Sequence, residues 1–173
     1  SFSRETPEIF LEQANAGLKK ASDFFKTAGI VVITLGTAWV YKYNGAVVAN
    51  CHKMPARQFK RVFLEPADIF NVLAPVIERN WDKKWIMTVS PIRHLADGAH
   101  GNQLSKASLH LAVKQLQDRF PGIWYFPSYE LVMDELRDYR FYATDRCHLT
   151  QETTSYIREQ FLEVAADQET RAL

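Results

Sequence analysis

Ile30-Val31-Val32-Ile33-Thr34-Leu35-Gly36 is the stretch on which the fold turns. β-Branched residues and a leucine follow one another without polar alternation, and a glycine ends them. Such a run reads as a strand buried on both faces, the mark of a parallel sheet. Upstream, Thr6 and Pro7 write a helix start, and Phe10, Ala14, Leu18, Ala21, Phe25 and Ala28 repeat at helical spacing up to Gly29. Downstream, Asn44-Gly45 between two apolar runs predicts a β-hairpin at about 39–49, an excursion from the main sheet. Residues 56–65 read as a short helix or irregular segment. Pro66 to Arg79 reads as a helix, with Ile69, Leu73, Val76 and Ile77 inward and a kink at Pro75. Trp85 to Val89 is the next strand, and a polar loop then runs to Asn102. A third helix covers about Leu104 to Phe120, and Ile123 to Phe126 is a short strand. Ser128 and Thr150 are placed to cap two further helices.

This order predicts an α/β fold with a parallel sheet. Three core strands are few for 173 residues, and the chain opens on a helix. The expectation is therefore one domain over residues 1–173 that is N-terminally incomplete. No repeat or low-complexity stretch divides it.

Composition narrows the function classes. The chain is 47% hydrophobic, enough for a chain of this size to bury roughly 70% of its unfolded surface. Lys and Arg number 21 against 20 for Asp and Glu, so no global field invites nucleic acid or anionic membrane. No apolar run reaches the roughly 18 residues of a membrane span. Cys51 and Cys147 make no disulfide framework and lack zinc spacing. The histidines never pair at i, i+4, so no metal is expected. Neither a G-x-G-x-x-G nor a Walker loop occurs, and no cofactor is expected. The residues leave the cellular compartment open.

In open parallel sheets, ligands gather beyond the carboxyl ends of the strands. Gly36-Thr37-Ala38-Trp39, Ser90-Pro91-Ile92-Arg93-His94 and Pro127-Ser128-Tyr129-Glu130 occupy those ends, joined by Asp145-Arg146-Cys147-His148. Asp145 and His148 form a D-x-x-H pair. At that spacing a carboxylate can accept from the imidazole Nδ1–H and leave Nε2 as a general base; a solvated loop histidine beside a surface aspartate satisfies the same four letters. Arg93 and His94 suit an anion or substrate oxygen, or equally a loop salt bridge. His52, leaving the hairpin, lines the site or satisfies a loop carbonyl. His100 reads as a loop residue. His110, sharing a helix face with Gln103, Lys106, Lys114 and Gln117, reads as solvated surface. Phe24, Phe25, Phe59, Phe63 and Phe70 read as core. A nucleophile is missing: no G-x-S-x-G occurs, Ser90 precedes a proline, and Ser128 is explained as a cap.

Taken in order, Val32 to Tyr41, Val48 to Lys53, Thr88 to His94, Gly98 to Lys106, Tyr125 to Glu130 and Asp134 to Tyr142, with Asp145 and His148, resemble the GSCFA domain family within the SGNH/GDSL-like esterase superfamily. The resemblance implies a flavodoxin-like three-layer α/β/α sheet with a Ser-His-Asp hydrolase site. His148 would be the general base and Asp145 its partner. The nucleophilic serine would belong to a Gly-Ser-Cys-Phe-Ala motif that these residues do not contain, with the first two strands of the sheet missing alongside it. Gly36-Thr37-Ala38 falls where superfamily esterases carry Gly-x-Asn, so Ala38 stands in place of an oxyanion-binding asparagine. Thr37, a backbone N–H, Asn50 or Arg93 are the substitutes, and Gly36, His52 and His94 complete the oxyanion and substrate candidates. The family often has proline after the histidine; here it is Leu149. The implied function is a serine esterase or acyltransferase acting on acyl esters, those of carbohydrates and cell-surface glycans included, with this chain inactive by itself. The alternative is a non-catalytic glycan- or partner-binding module on the same fold. An unpaired edge on Ile30–Leu35 would favour self-association.

Overall fold

The structure, a computed structural model, describes residues 6–49 and 54–167. In chain order its elements are α1 (Pro7–Thr27), β1 (Ile30–Leu35), β2 (Trp39–Tyr43), β3 (Ala46–Val48), β4 (Lys60–Phe63), α2 (Pro66–Arg79), β5 (Lys84–Val89), α3 (Gly98–Arg119), β6 (Trp124–Phe126), the single turn α4 (Ser128–Glu130) and α5 (Gln151–Ala165). A π-helical segment, Leu131–Leu136, continues α4 and ends on Arg137 in the left-handed region.

The main sheet is parallel, in the order β1-β5-β6, with Val32 opposite Ile86, Thr34 opposite Thr88 and Thr88 opposite Phe126. Val31, Ile33 and Leu35 share one face with Trp85, Met87 and Val89. Against that face α2 and α3 place Ile69, Ile77, Leu109, Val113 and Leu116, which form the dense core. The opposite face meets α5, whose Phe161 ring lies 5.0 Å from Phe126 and 6.1 Å from Trp124. Helices therefore flank the sheet on both faces.

The expectation that β1 is buried on both faces is corrected. Its residues alternate, with Val31, Ile33 and Leu35 partly buried while Ile30 and Val32 are 53% and 49% exposed. Along α1 no residue is buried, and Phe24, expected in the core, is 74% exposed; Phe25 alone among the pair packs against it.

The excursion is larger than a hairpin. Asn44 (φ 48°) and Gly45 (φ 83°) make the β2–β3 turn in the left-handed region, as Asn-Gly favours. β4 then pairs antiparallel with the other side of β2, giving a second sheet in the order β3-β2-β4. The helix considered for residues 56–65 is reduced to one 3-10 turn, Ala56–Gln58, ahead of this strand. Two further corrections concern α3 and α4. The loop expected up to Asn102 is helical from Gly98, so exposed His100 lies in the first turn of α3. Ser128 caps nothing: its Oγ donates to the Val89 carbonyl at 2.9 Å and lies 2.6 Å from Thr88 Oγ1, tying α4 to β5.

Candidate active site

The carboxyl ends of β1 and β5 are held by two residues of α3. Ser105 Oγ accepts from the Ala38 N–H at 2.8 Å and lies 3.1 Å from Thr37 Oγ1. Lys106 Nζ donates to the Gly36 carbonyl at 2.7 Å and to the Ser90 carbonyl at 2.6 Å. The lysine expected on the solvated face with His110 is in fact 1% exposed. Burial disfavours its charged form and lowers its pKa to about 8. His94 Nε2 lies 3.2 Å from the same Gly36 oxygen. A carbonyl only accepts, so this contact places the proton on Nε2. His110 too is corrected: it is partly buried, its ring 5.1 Å from that of Tyr129, and desolvation lowers its pKa.

The D-x-x-H loop is tightly tied. Asp145 Oδ1 accepts from the backbone N–H of Cys147 (2.9 Å) and His148 (3.0 Å), an Asx-type turn. Its Oδ2 accepts from His148 Nδ1 at 2.6 Å. The hydrogen bond from His148, with those two amides, holds the Asp145 carboxyl well below its usual range, at about 2. Outside the turn, Tyr142 bridges to Leu149, the Ala143 N–H donates to the His148 carbonyl at 2.8 Å, and the Thr150 N–H to the Phe141 carbonyl at 3.1 Å. The Arg93 N–H donates to the Cys147 carbonyl at 3.3 Å, joining this loop to the end of β5. Above it the Arg93 guanidinium lies 4.3 Å from the Tyr142 ring centroid and 4.9 Å from that of Tyr139, a cation–π clamp.

Two cavities meet at His148. One, of about 750 Å³, is the more polar of the two and is lined by Thr37, Trp39, Arg61, Arg93, His94 and Asp145 among others. In its wall Arg61 pairs with the buried Asp97 carboxylate at 2.5 Å and stacks 4.1 Å over Trp39. The other, of about 540 Å³, is mainly apolar and lies on the outer face of the sheet, between Val32, Thr34, Phe126, Leu149, Ile157 and Phe161. Thr37, Arg93, His94, Asp145 and His148 are thus brought round one space, and Gly36 stands behind it through its carbonyl. Asn50 and His52 lie outside the described residues. Lys106, Ser105, Arg61 and Asp97 are parts of the site that sequence reasoning passed over. Among the described residues, no group of three or more His, Cys, Asp or Glu could hold a metal ion, and no helix is long and apolar enough to cross a membrane.

Fold and site together define an α/β protein with a carboxylate–imidazole pair on the carboxyl rim of a parallel sheet. The chain belongs to the GSCFA family, whose sequence profile matches residues 1–161. No curated protein and no solved structure matches it.

Proposed function

We propose that this chain supplies the base of an acyl-ester hydrolase or acyltransferase of the Ser-His-Asp type. The observation that carries the reading is the 2.6 Å contact between His148 Nδ1 and Asp145 Oδ2, with the carboxylate anchored by two backbone amides. Asp145 keeps the proton on Nδ1, which leaves Nε2 with a free lone pair. A hydroxyl nucleophile is weak until a base removes its proton. Nε2 takes that proton as the oxygen attacks the acyl carbon, and returns it to the leaving alkoxide. Between those steps the imidazolium sits against an ionised carboxylate.

The nucleophile is assigned to the family's Gly-Ser-Cys-Phe-Ala motif, absent from these 173 residues. Ser90 and Ser128 line the apolar cavity beside His148, but Ser128 Oγ donates to the Val89 carbonyl, Ser90 Oγ accepts from the Ile92 N–H, and among the described residues neither hydroxyl is hydrogen-bonded to the His148 ring. The more polar cavity, with Trp39, Arg61 and Arg93 in its walls, supports an oxygen-rich alcohol such as a glycan on the leaving-group side.

Hydrolysis of p-nitrophenyl acetate tests the proposal. A longer form bearing the motif is expected to be active and to lose about 10²–10⁴-fold in kcat on His148→Ala. The 173-residue chain is expected to be inactive. Turnover by this chain alone, or a longer form indifferent to His148→Ala, overturns the reading.

A further inference from the structure

A third cavity, of about 110 Å³, lies between Arg93, Arg137, Asp138, Tyr139 and Tyr142. It shares Arg93 with the larger space that Asp145 and His148 line. The Arg93 guanidinium rests on the Tyr139 and Tyr142 rings, and that of Arg146 lies 5.7 Å from the Tyr139 centroid. Carboxylates take up Arg61, Arg119 and Arg140, whereas Arg93, Arg137 and Arg146 pair with none among the described residues. Asp138 is the one acid on the cavity wall, and Arg140 Nε lies 4.0 Å from its Oδ2. Asp145 is committed to His148 and two backbone amides. Arg93, Arg137, Arg140 and Arg146 thus gather about Tyr139 with a carboxylate opposite only one of them.

Like charges gathered without acids between them repel, the more so where water is partly excluded. The tyrosine rings do not cancel the charge. A guanidinium laid on an aromatic face keeps its planar rim of N–H donors for acceptors in its own plane. An oxyanion supplies both the missing charge and the acceptors. The turns themselves do not call for arginine. Arg137 (φ 40°) and Arg146 (φ 57°) both lie in the left-handed region, where glycine or asparagine would cost less. The cavity has about the room of four waters, so an oxyanion group fits and a sugar ring does not. His148 does not line it, so a group bound there is held clear of the reacting atoms.

We infer that this arginine-lined cavity is an anion site that takes a phosphate or carboxylate borne by the alcohol of the ester, with Arg93 and Arg137 as the donors that set specificity. From there the alcohol passes Arg93 into the more polar cavity toward His148. The substrate class is therefore acidic, a phosphorylated or uronate-bearing glycan ester and not a neutral one. In placing the anion on the alcohol, this inference rests on the reading above; the anion site itself does not.

The test titrates the ¹⁵N-labelled 173-residue chain with inorganic phosphate, with D-glucuronate and with D-glucose. The amides of residues 137–142 are expected to shift saturably with at least one of the two anions and to ignore D-glucose. The anion that binds more tightly tells phosphate from carboxylate. Arg137→Gly, which suits the backbone at that position, should weaken binding about tenfold, the loss typical of a hydrogen bond to a charged group. Arg119→Met removes the same charge from the far end of α3 and should leave binding unchanged. His148→Ala should leave it unchanged too, which separates this site from the base. In the longer form, the ratio of kcat/KM for an acetylated anionic sugar over its neutral counterpart should fall about tenfold in Arg137→Gly. Inactivity of the longer form would count against the reading above alone. Amides that neither anion moves overturn the inference, as does an equal response to D-glucose. Binding that Arg137→Gly leaves intact, or that Arg119→Met weakens as much, does so as well. A ratio unchanged in Arg137→Gly overturns the assignment of the anion to the alcohol.

Discussion

Asp145 uses both carboxylate oxygens at once, one for two backbone amides and one for the His148 ring, while its side chain stays 49% exposed. Its carboxyl titrates at about 2 in the folded chain, against 3.8 ordinarily. A depressed carboxyl contributes stability that is complete above its ordinary pKa and lost as pH falls through the folded value. Carbon-detected NMR titration should find Asp145 near 2, and His148→Ala should move it up toward 3.8, since the largest cause of the shift is then gone. Lys106 runs the other way in charge but obeys the same linkage. Its amine is depressed from 10.5 to about 8, so between those values the unfolded chain binds a proton that the folded chain does not. Stability from this residue rises with pH across that window and is flat below it. Urea unfolding at stepped pH should show the rise, and Lys106→Met should abolish it. An unchanged slope in Lys106→Met would show that the ammonium is more solvated than its two carbonyl contacts indicate.

At the scale of elements, β1 is the strand with most left undone. Among the described residues it pairs with β5 alone, so one edge keeps unpaired N–H and C=O groups beside exposed Ile30 and Val32. An apolar strand edge of this kind is a template for association. Sedimentation should show concentration-dependent self-association, reduced by Val32→Lys, which puts a charge on the exposed face. A monomer at every concentration, with all β1 amides slow to exchange, would contradict this. The same strand shows how far the sequence can be read. Its existence and direction follow from its β-branched run, and α2, β5, β6 and α5 follow from periodicity and caps. Its outer face does not, because an unbroken apolar run looks alike whether one face or two are covered. β4 escaped notice because Lys60-Arg61-Val62-Phe63 opens on two charges, and an edge strand can leave Lys60 in water while Arg61 finds the Asp97 carboxylate. In α3, Lys106 stands in phase with Leu109, Val113 and Leu116, all buried. That phase was available in the sequence, but a lysine is so seldom buried that residue type outweighed position. Asp145 and His148 were legible because a turn of four residues settles their contact locally. The grip of Lys106 on Gly36 spans 70 residues and needed the fold.

For the whole molecule, the two sides of the sheet differ in what they contribute. The inner side holds Ile77 and Leu116, both 0% exposed, in one continuous core. Truncating either to Ala should cost about 2–5 kcal/mol in urea unfolding, through lost transfer energy and the cavity left behind. Phe24→Ala, at a side chain 74% exposed, should stay within about 0.5 kcal/mol. A large cost at Phe24 would mean that α1 packs in solution against a surface it does not touch here. The last turn of α1 is attached through Lys83, whose Nζ donates to the Lys26 carbonyl at 3.2 Å and the Ala28 carbonyl at 2.8 Å, with Phe25 packed beside it. A helix with no buried residue along its length can open without disturbing the cooperative unit behind it. Its amides should exchange by local opening, at rates insensitive to denaturant, while those of α3 wait for global unfolding. Brief proteolysis should then shorten the chain from the α1 end first, leaving a resistant body whose unfolding midpoint is nearly that of the uncut protein.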